Sequence, residues 1–100
     1  MPDYEVQIAP AAFRQLKKLP VDDRALVAKA IDRLISQPRL NGSRLLAGAP
    51  QGQEIRRIRA GRWRIVYQIE QGRLLVLVLR VGDRKEVYRR LERLKPGQQD

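Results

Sequence analysis

The sequence predicts a small α+β domain, ordered β-α-α-β-β-β-α, in which an antiparallel sheet packs against two N-terminal helices. Two observations lead to this prediction. Apolar residues recur at helical spacing in the first third of the chain, and extended apolar runs separated by glycine-containing turns follow later. Because 100 residues can bury one modest core, we expect a single domain over residues 1–100.

The N-terminal part is predicted to contain one short strand and two helices. Polar and apolar side chains alternate over residues 4–8, as in a half-buried strand. Pro10 suits the first turn of a helix, and Pro20 ends that helix and can open the next one. Apolar spacing over residues 26–35 predicts this second helix, which ends before Pro38.

A loop, three strands and a last helix complete the prediction. The loop is expected over residues 38–52, where glycine and proline recur. The strands are predicted over residues 54–59, 63–69 and 74–79. The third strand is apolar at every position, which is typical of a strand covered on both faces. Residues 85–94 have the spacing of a short helix, and residues 95–100 are expected to form a frayed tail.

Charge indicates the class of partner. The chain carries 21 Lys and Arg against 11 Asp and Glu, a net charge of +10. Residues 51–100 hold thirteen basic and six acidic side chains, so +7 of that excess lies there. Nucleic acid and acidic protein segments are the favoured partners, because the planar guanidinium of arginine suits phosphate and carboxylate. No apolar run spans a membrane and no signal peptide is evident, so we expect a cytoplasmic protein without a membrane partner.

The residue types that are missing exclude several chemistries. The chain has no histidine and no cysteine, which excludes a serine triad, a thiol nucleophile paired with histidine and the usual zinc and iron–sulfur sites. No glycine-rich phosphate loop is present, and the acidic residues are too scattered for a two-metal nuclease. We therefore expect neither a metal nor a cofactor.

The middle of the chain concentrates arginine in a predicted hairpin. Nine residues without an acid contain Arg56, Arg57, Arg59, Arg62 and Arg64. A turn at residues 61–62 sets Arg59 opposite Arg64, whereas a turn at residues 60–61 sets Arg57 opposite Arg64. Opposed like charges destabilise a sheet, so either register suggests a surface that binds phosphate. The alternative is a set of solvated arginines that fan apart.

Arg84 and Tyr88 form a second candidate constellation, just after the last strand. On a short helix they share a face, where the arginine can hold a phosphate while the ring stacks on a base. The alternative is a tyrosine that packs in the core. Trp63 and Tyr67 share a strand face with apolar neighbours, and we interpret both as mainly core residues.

Three segments carry a resemblance to a known family. Residues 57–67 read Arg-Ile-Arg-Ala-Gly-Arg-Trp-Arg-Ile-Val-Tyr, and residues 81–88 read Val-Gly-Asp-Arg-Lys-Glu-Val-Tyr. Residues 11–20 supply a matching first helix with its proline break. Over residues 3–92 the chain resembles the RelE-type toxins of the RelE/ParE toxin–antitoxin superfamily.

The resemblance implies a compact toxin that cuts messenger RNA in the ribosomal A site. The 2′-hydroxyl attacks the adjacent phosphate in that family, so no metal is needed. By position, Arg64 would hold the scissile phosphate, Arg84 would stabilise the leaving group and Tyr88 would orient the nucleotide. The remaining basic residues assigned to RNA binding are Arg56, Arg57, Arg59, Arg62 and Lys85. The expected partners are a RelB-like acidic antitoxin, the ribosome and its message, and operator DNA only as the toxin–antitoxin complex.

The resemblance does not identify which residue acts as the general base. Well-known members carry lysines in the strand before the hairpin, where this chain has Ile55, Arg56 and Arg57. Arginine stays protonated and is a poor base. Lys85, Glu54 or Glu86 is a candidate, or the ribosome supplies much of the activation. Two rival functions also remain: a ParE-like inhibitor of DNA gyrase and a non-catalytic module that binds nucleic acid.

Overall fold

A computed structural model describes residues 3–83 of the chain. The helices are α1 (Pro10–Lys17) and α2 (Val21–Arg33). The strands are β1 (Glu5–Ile8), β2 (Arg44–Leu45), β3 (Glu54–Ala60), β4 (Trp63–Glu70) and β5 (Leu75–Gly82), with a 3₁₀ turn at Gln71–Arg73. The helix predicted over residues 85–94 and the tail predicted over residues 95–100 lie outside the described residues.

Proline sets where both helices begin. Pro10 occupies the first turn of α1, where its missing N–H costs no helical hydrogen bond. Pro20 is the N-cap of α2, and Asp22 and Asp23 lie in the first turn, where they favour the positive end of the helix dipole. Both helices were predicted from these signals. Neither helix within residues 3–83 has the length and apolar character needed to span a bilayer.

The five strands form one mixed sheet in the order β1-β5-β4-β3-β2. The β3–β4 and β4–β5 pairs are antiparallel, as predicted, and the β2–β3 pair is antiparallel too. The first strand departs from the predicted antiparallel sheet, because β1 lies parallel to β5, with Glu5 paired to Leu75. Side-chain alternation identifies a strand but carries no information about its direction, so the sequence could not reveal this pairing.

The segment predicted as a loop over residues 38–52 contains a strand. β2 is two residues long and pairs Arg44 with Arg57 and Leu45 with Arg56. Two residues are too few for a period of two to be recognised, which explains why the prediction was wrong here. The strand covers one end of the β3 edge.

The main core lies between the helices and one face of the sheet. Its fully buried large side chains include Leu34 and Val27 from the helical part, and Ile65, Tyr67, Val76 and Val78 from the sheet. The Tyr67 hydroxyl donates a hydrogen bond of 2.7 Å to the Pro38 carbonyl, which satisfies its polar atom inside the core. Burial raises the pKa of Tyr67.

A smaller apolar cluster lies on the opposite face, which we call the open face. Ile55 and Val66 are buried there, and Leu46, Ala49 and Leu79 pack against them. The cluster explains why β5 is apolar on both sides. It occupies only part of the open face, and the remainder carries arginines.

Candidate nucleic-acid interface

A tight turn at Gly61–Arg62 sets the register of the β3–β4 hairpin. Ala60 pairs with Trp63 and Arg59 with Arg64, which leaves two residues in the turn. Gly61 has a φ of 62°, the left-handed conformation that a two-residue type II′ turn requires at its first position. Of the two registers considered from the sequence, the structure adopts the one that puts glycine at that position.

Four arginines share the open face of the sheet, and we call this group the arginine face. Arg57 and Arg59 lie two residues apart on β3, so they project from the same side. Arg64 lies opposite Arg59, and Arg80 of β5 lies opposite Val66, which itself lies opposite Arg57. The hairpin and the last strand therefore present their cations together.

Arg59 and Arg64 form the most strained part of the arginine face. Directly opposed residues have Cβ atoms about 5 Å apart, and like charges at that separation destabilise a sheet. Within residues 3–83 the carboxylates of Glu54 and Glu70 pair with other arginines, so neither of them compensates Arg59 or Arg64. Arg59 is exposed and Arg64 half-buried, so both can reach a ligand. An anion bound between them would relieve their repulsion.

Arg57 is the buried member of the arginine face, with 7% of its surface exposed. A buried cation keeps a stronger field than an exposed one, because less water screens it. Arg57 lies on the same side of β3 as Arg59, two residues away.

Arg80 was not among the site residues predicted from the sequence. Simple alternation from Val76 and Val78, which face the helices, would turn Arg80 towards the helices too. An irregularity in the β4–β5 register inserts Leu79 as an extra residue, since Val66 pairs with Arg80 and Tyr67 with Val78. The bulge turns Arg80 to the open face. Val81 reports the same shift. Regular alternation from Val78 would turn Val81 to the open face, yet Val81 is buried in the main core.

Arg56 and Glu54 do not join the arginine face. Both alternate to the other side of β3, where Arg56 contacts the Glu54 carboxylate at 2.8 Å and donates to Ser43 Oγ. Arg39 binds the same carboxylate through two hydrogen bonds of 2.7 and 2.8 Å. The hydrogen bonds from Arg39 lower the pKa of Glu54, partly offset by desolvation. This ion-pair network fastens the segment before β2 to the sheet.

The hairpin turn holds Arg62 and Trp63. The exposed Arg62 guanidinium lies over the Trp63 ring, 4.8 Å from its centroid. Trp63 is half-buried and packs against the main core, and Tyr67 is fully buried, which agrees with the interpretation of both as core residues. Arg62 therefore lies at the tip of the hairpin and not on its open face.

The second predicted constellation lies outside the described residues, which end at Asp83. This applies to Arg84, Lys85, Glu86 and Tyr88. Gly82, two residues before Arg84 in sequence, pairs with Arg64. Over residues 3–83 no three acidic side chains come close enough together to hold a metal ion.

Comparisons with known proteins agree with this architecture. Residues 6–88 match the family model for the ParE toxin of the type II toxin–antitoxin system parDE. No curated protein matches the chain.

Solved structures of toxins share the fold. The chain is 30% identical to a chain of the RelBE2 toxin–antitoxin complex from Mycobacterium tuberculosis, with a TM-score of 0.70 over 82% of this chain and 99% of that one. An E. coli RelE mutant in the free state is 25% identical, with a TM-score of 0.70 over 92% and 98% of the two chains. A chain of the archaeal RelE–RelB complex from Pyrococcus horikoshii, 20% identical, has a TM-score of 0.72 over 83% and 97%.

Proposed function

The chain belongs to the ParE toxin family and is a toxin of the RelE/ParE superfamily, and from this premise we propose that it is a ribosome-dependent endoribonuclease. One observation carries the proposal: Arg59 and Arg64 oppose each other on an open sheet face, and the carboxylates of Glu54 and Glu70 pair with other arginines. This arrangement costs stability and suits a phosphodiester. The message in the ribosomal A site is the substrate that we propose.

The reaction that we propose uses the RNA's own nucleophile. The 2′-oxygen attacks the adjacent phosphorus, the bond to the 5′-oxygen breaks, and a 2′,3′-cyclic phosphate and a 5′-hydroxyl form. The 2′-hydroxyl gives up its proton to a base, and the leaving 5′-oxygen takes one up. Negative charge grows on the phosphate oxygens in this transition state, so fixed cations accelerate the step. No metal enters this scheme.

Arg64 is the residue that we propose to hold the scissile phosphate, with Arg59 and Arg57 beside it. We assign stabilisation of the leaving oxygen to Arg84 and stacking on the nucleotide to Tyr88. Gly82, two residues before Arg84 in sequence, pairs with Arg64, and this short separation along the chain supports the assignment.

We propose that Lys85 or Glu86 is the base that takes the proton of the 2′-hydroxyl. Glu54, the third candidate, lies five residues from Arg59 along β3, about 16 Å away, and on the other side of the strand. Its carboxylate is occupied by Arg39 and Arg56. We therefore propose that Glu54 supports the fold and takes no part in proton transfer.

The partner that we propose is an acidic antitoxin similar to RelB. Several similar structures are complexes of RelE with RelB, and the arginine face offers a surface that an acidic segment can cover. The complex, and not the toxin alone, is proposed to bind operator DNA. The ribosomal target places the proposed activity in the cytoplasm.

Inhibition of DNA gyrase is the second candidate, favoured by the match to the ParE family model. The arginine face argues for the nuclease, because a protein that blocks gyrase has no need to oppose two cations across a hairpin. A non-catalytic module that binds nucleic acid is the third reading. All three functions predict a basic surface, and assays of activity decide among them.

Primer extension on a translated message after brief induction tests the proposal. For the unmodified chain we expect new RNA ends within the reading frame. The Arg64→Gln variant should cleave about 100 to 1,000 times less, because the transition state loses a fixed charge. Arg14→Gln, an exposed arginine on α1, is the control and should cleave normally. Intact messages combined with inhibited gyrase supercoiling would establish the second candidate. Toxicity unchanged by Arg64→Gln would contradict the nuclease.

A further inference from the structure

A groove lies at the edge of the sheet beside the arginine face, and we call it the edge groove. It has a volume of about 390 Å³, within the range of pockets that hold a small ligand. The edge groove opens where the chain before β2 diverges from β3, since β2 pairs only with Arg56 and Arg57. Its lining comes from the end of α2, the turn before β2, and β3.

The edge groove is strongly basic. Four of its lining residues are arginines and none is acidic; the arginines are Arg33, Arg44, Arg57 and Arg59. Arg44 and Arg57 lie directly opposite each other across the β2–β3 pair. The sheet therefore places two arginines opposite each other a second time, one strand away from the Arg59–Arg64 pair.

A short turn forms the outer wall of the edge groove. Asn41 and Gly42 line it, and the Ser43 N–H donates a hydrogen bond of 3.0 Å to the Leu40 carbonyl, which closes the turn. Gly42 has a φ of 93°, and a Cβ built there would meet nothing within 4 Å. The hydrogen bond holds the backbone of the wall, and the surface of the wall is open. The side-chain amide of Asn41 can form hydrogen bonds with a base or sugar.

The edge groove and the arginine face are continuous. Arg57 and Arg59 belong to both, and β2 lies two strand spacings from β4, roughly 10 Å. We infer that the edge groove is a second nucleotide subsite, in which Arg33 and Arg44 hold the phosphate of a nucleotide flanking the scissile bond. Single-stranded RNA fits because its backbone can bend from the open face over the edge of β3.

This inference rests on the proposed function, and a binding experiment separates the two. The probes are a fluorescent 2′-O-methyl RNA hexanucleotide and the matching dinucleotide, neither of which can be cleaved by attack of a 2′-hydroxyl. The full chain is used at several salt concentrations. The variant is Arg33→Gln with Arg44→Gln, and Arg14→Gln on α1 is the matched control. Circular dichroism melts verify that each variant is folded.

We expect the double variant to bind the hexanucleotide about tenfold more weakly and the dinucleotide unchanged. The slope of log affinity against log salt should fall by about 0.7, since the contact to one single-stranded phosphate is lost. Arg14→Gln should leave both affinities and the slope unchanged.

Three results would overturn the subsite. They are equal losses for both probes, no loss for either, and no binding of the hexanucleotide by the unmodified chain. A variant that binds RNA normally but loses affinity for its acidic antitoxin would assign the edge groove to a protein partner instead. If the hexanucleotide result holds while messages stay intact on ribosomes, the subsite stands and the proposed nuclease fails.

Discussion

Single arginines in this protein lie opposite one another in the sheet. Arg59 lies opposite Arg64 across the hairpin, and Arg44 lies opposite Arg57 across the next pair of strands. The first of these pairs was one of two alternatives that the sequence left open, because the position of the turn could be shifted by one residue. The second could not be predicted, since it depends on a strand of two residues.

Replacing Arg59 should separate stability from activity. We expect Arg59→Gln to raise the free energy of unfolding by about 0.5 kcal/mol, because it removes a like-charge pair, and to reduce cleavage. Urea denaturation at low salt measures the first effect, and primer extension the second. The gain should shrink at high salt, which screens the repulsion in the unmodified chain. A less stable variant would show that the opposed cations do not repel in the folded protein.

At the scale of elements, the segment between α2 and β3 illustrates how tertiary contacts replace regular structure. Three residues of this segment contact the sheet: Arg39 donates to Glu54, Ser43 accepts from Arg56, and the Pro38 carbonyl accepts from the Tyr67 hydroxyl. Local sequence predicts only a loop here. The partners are up to 29 residues apart, so no local pattern reports them.

The Glu54 network should make stability depend on pH. The lowered pKa of Glu54 means that its stabilising contribution is complete above its usual 4.5 and is lost as the pH falls through the lower folded value. We expect Glu54→Gln to cost about 1 kcal/mol at pH 7 and little at pH 3. Denaturation at both pH values measures this difference.

Glu70→Gln is the matched control, because the one ion pair of Glu70 within residues 3–83 is with Arg73 at 3.5 Å, and that arginine is largely exposed. It should cost much less at pH 7. Equal costs for the two variants would show that the network adds nothing beyond an ordinary surface ion pair.

The β5 bulge limits what could be predicted about the site. The strand itself was recognised from its apolar run, but one extra residue reverses which face each later side chain occupies. Arg80 joins the arginine face for this reason. Bulges depend on pairing with a neighbour, so alternation within one strand does not reveal them.

At the scale of the whole molecule, the net charge of +10 should govern association. We expect the affinity for an acidic antitoxin to fall by at least tenfold between 50 mM and 500 mM salt, mainly through a slower association rate. Stopped-flow association at several salt concentrations measures this. An association rate independent of salt would indicate an apolar interface instead. The fold class and the basic character were both predictable at this scale, because they depend on composition and periodicity along the whole chain.

The parallel pairing of β1 with β5 has a consequence for biosynthesis. Glu5 emerges from the ribosome first, yet its partner Leu75 is translated seventy residues later. The sheet therefore cannot close until β5 has been translated, and β4, which carries Arg64, lacks its β5 neighbour until then. A nascent chain thus has neither the complete sheet nor the part of the arginine face that β5 supplies until that strand has been made.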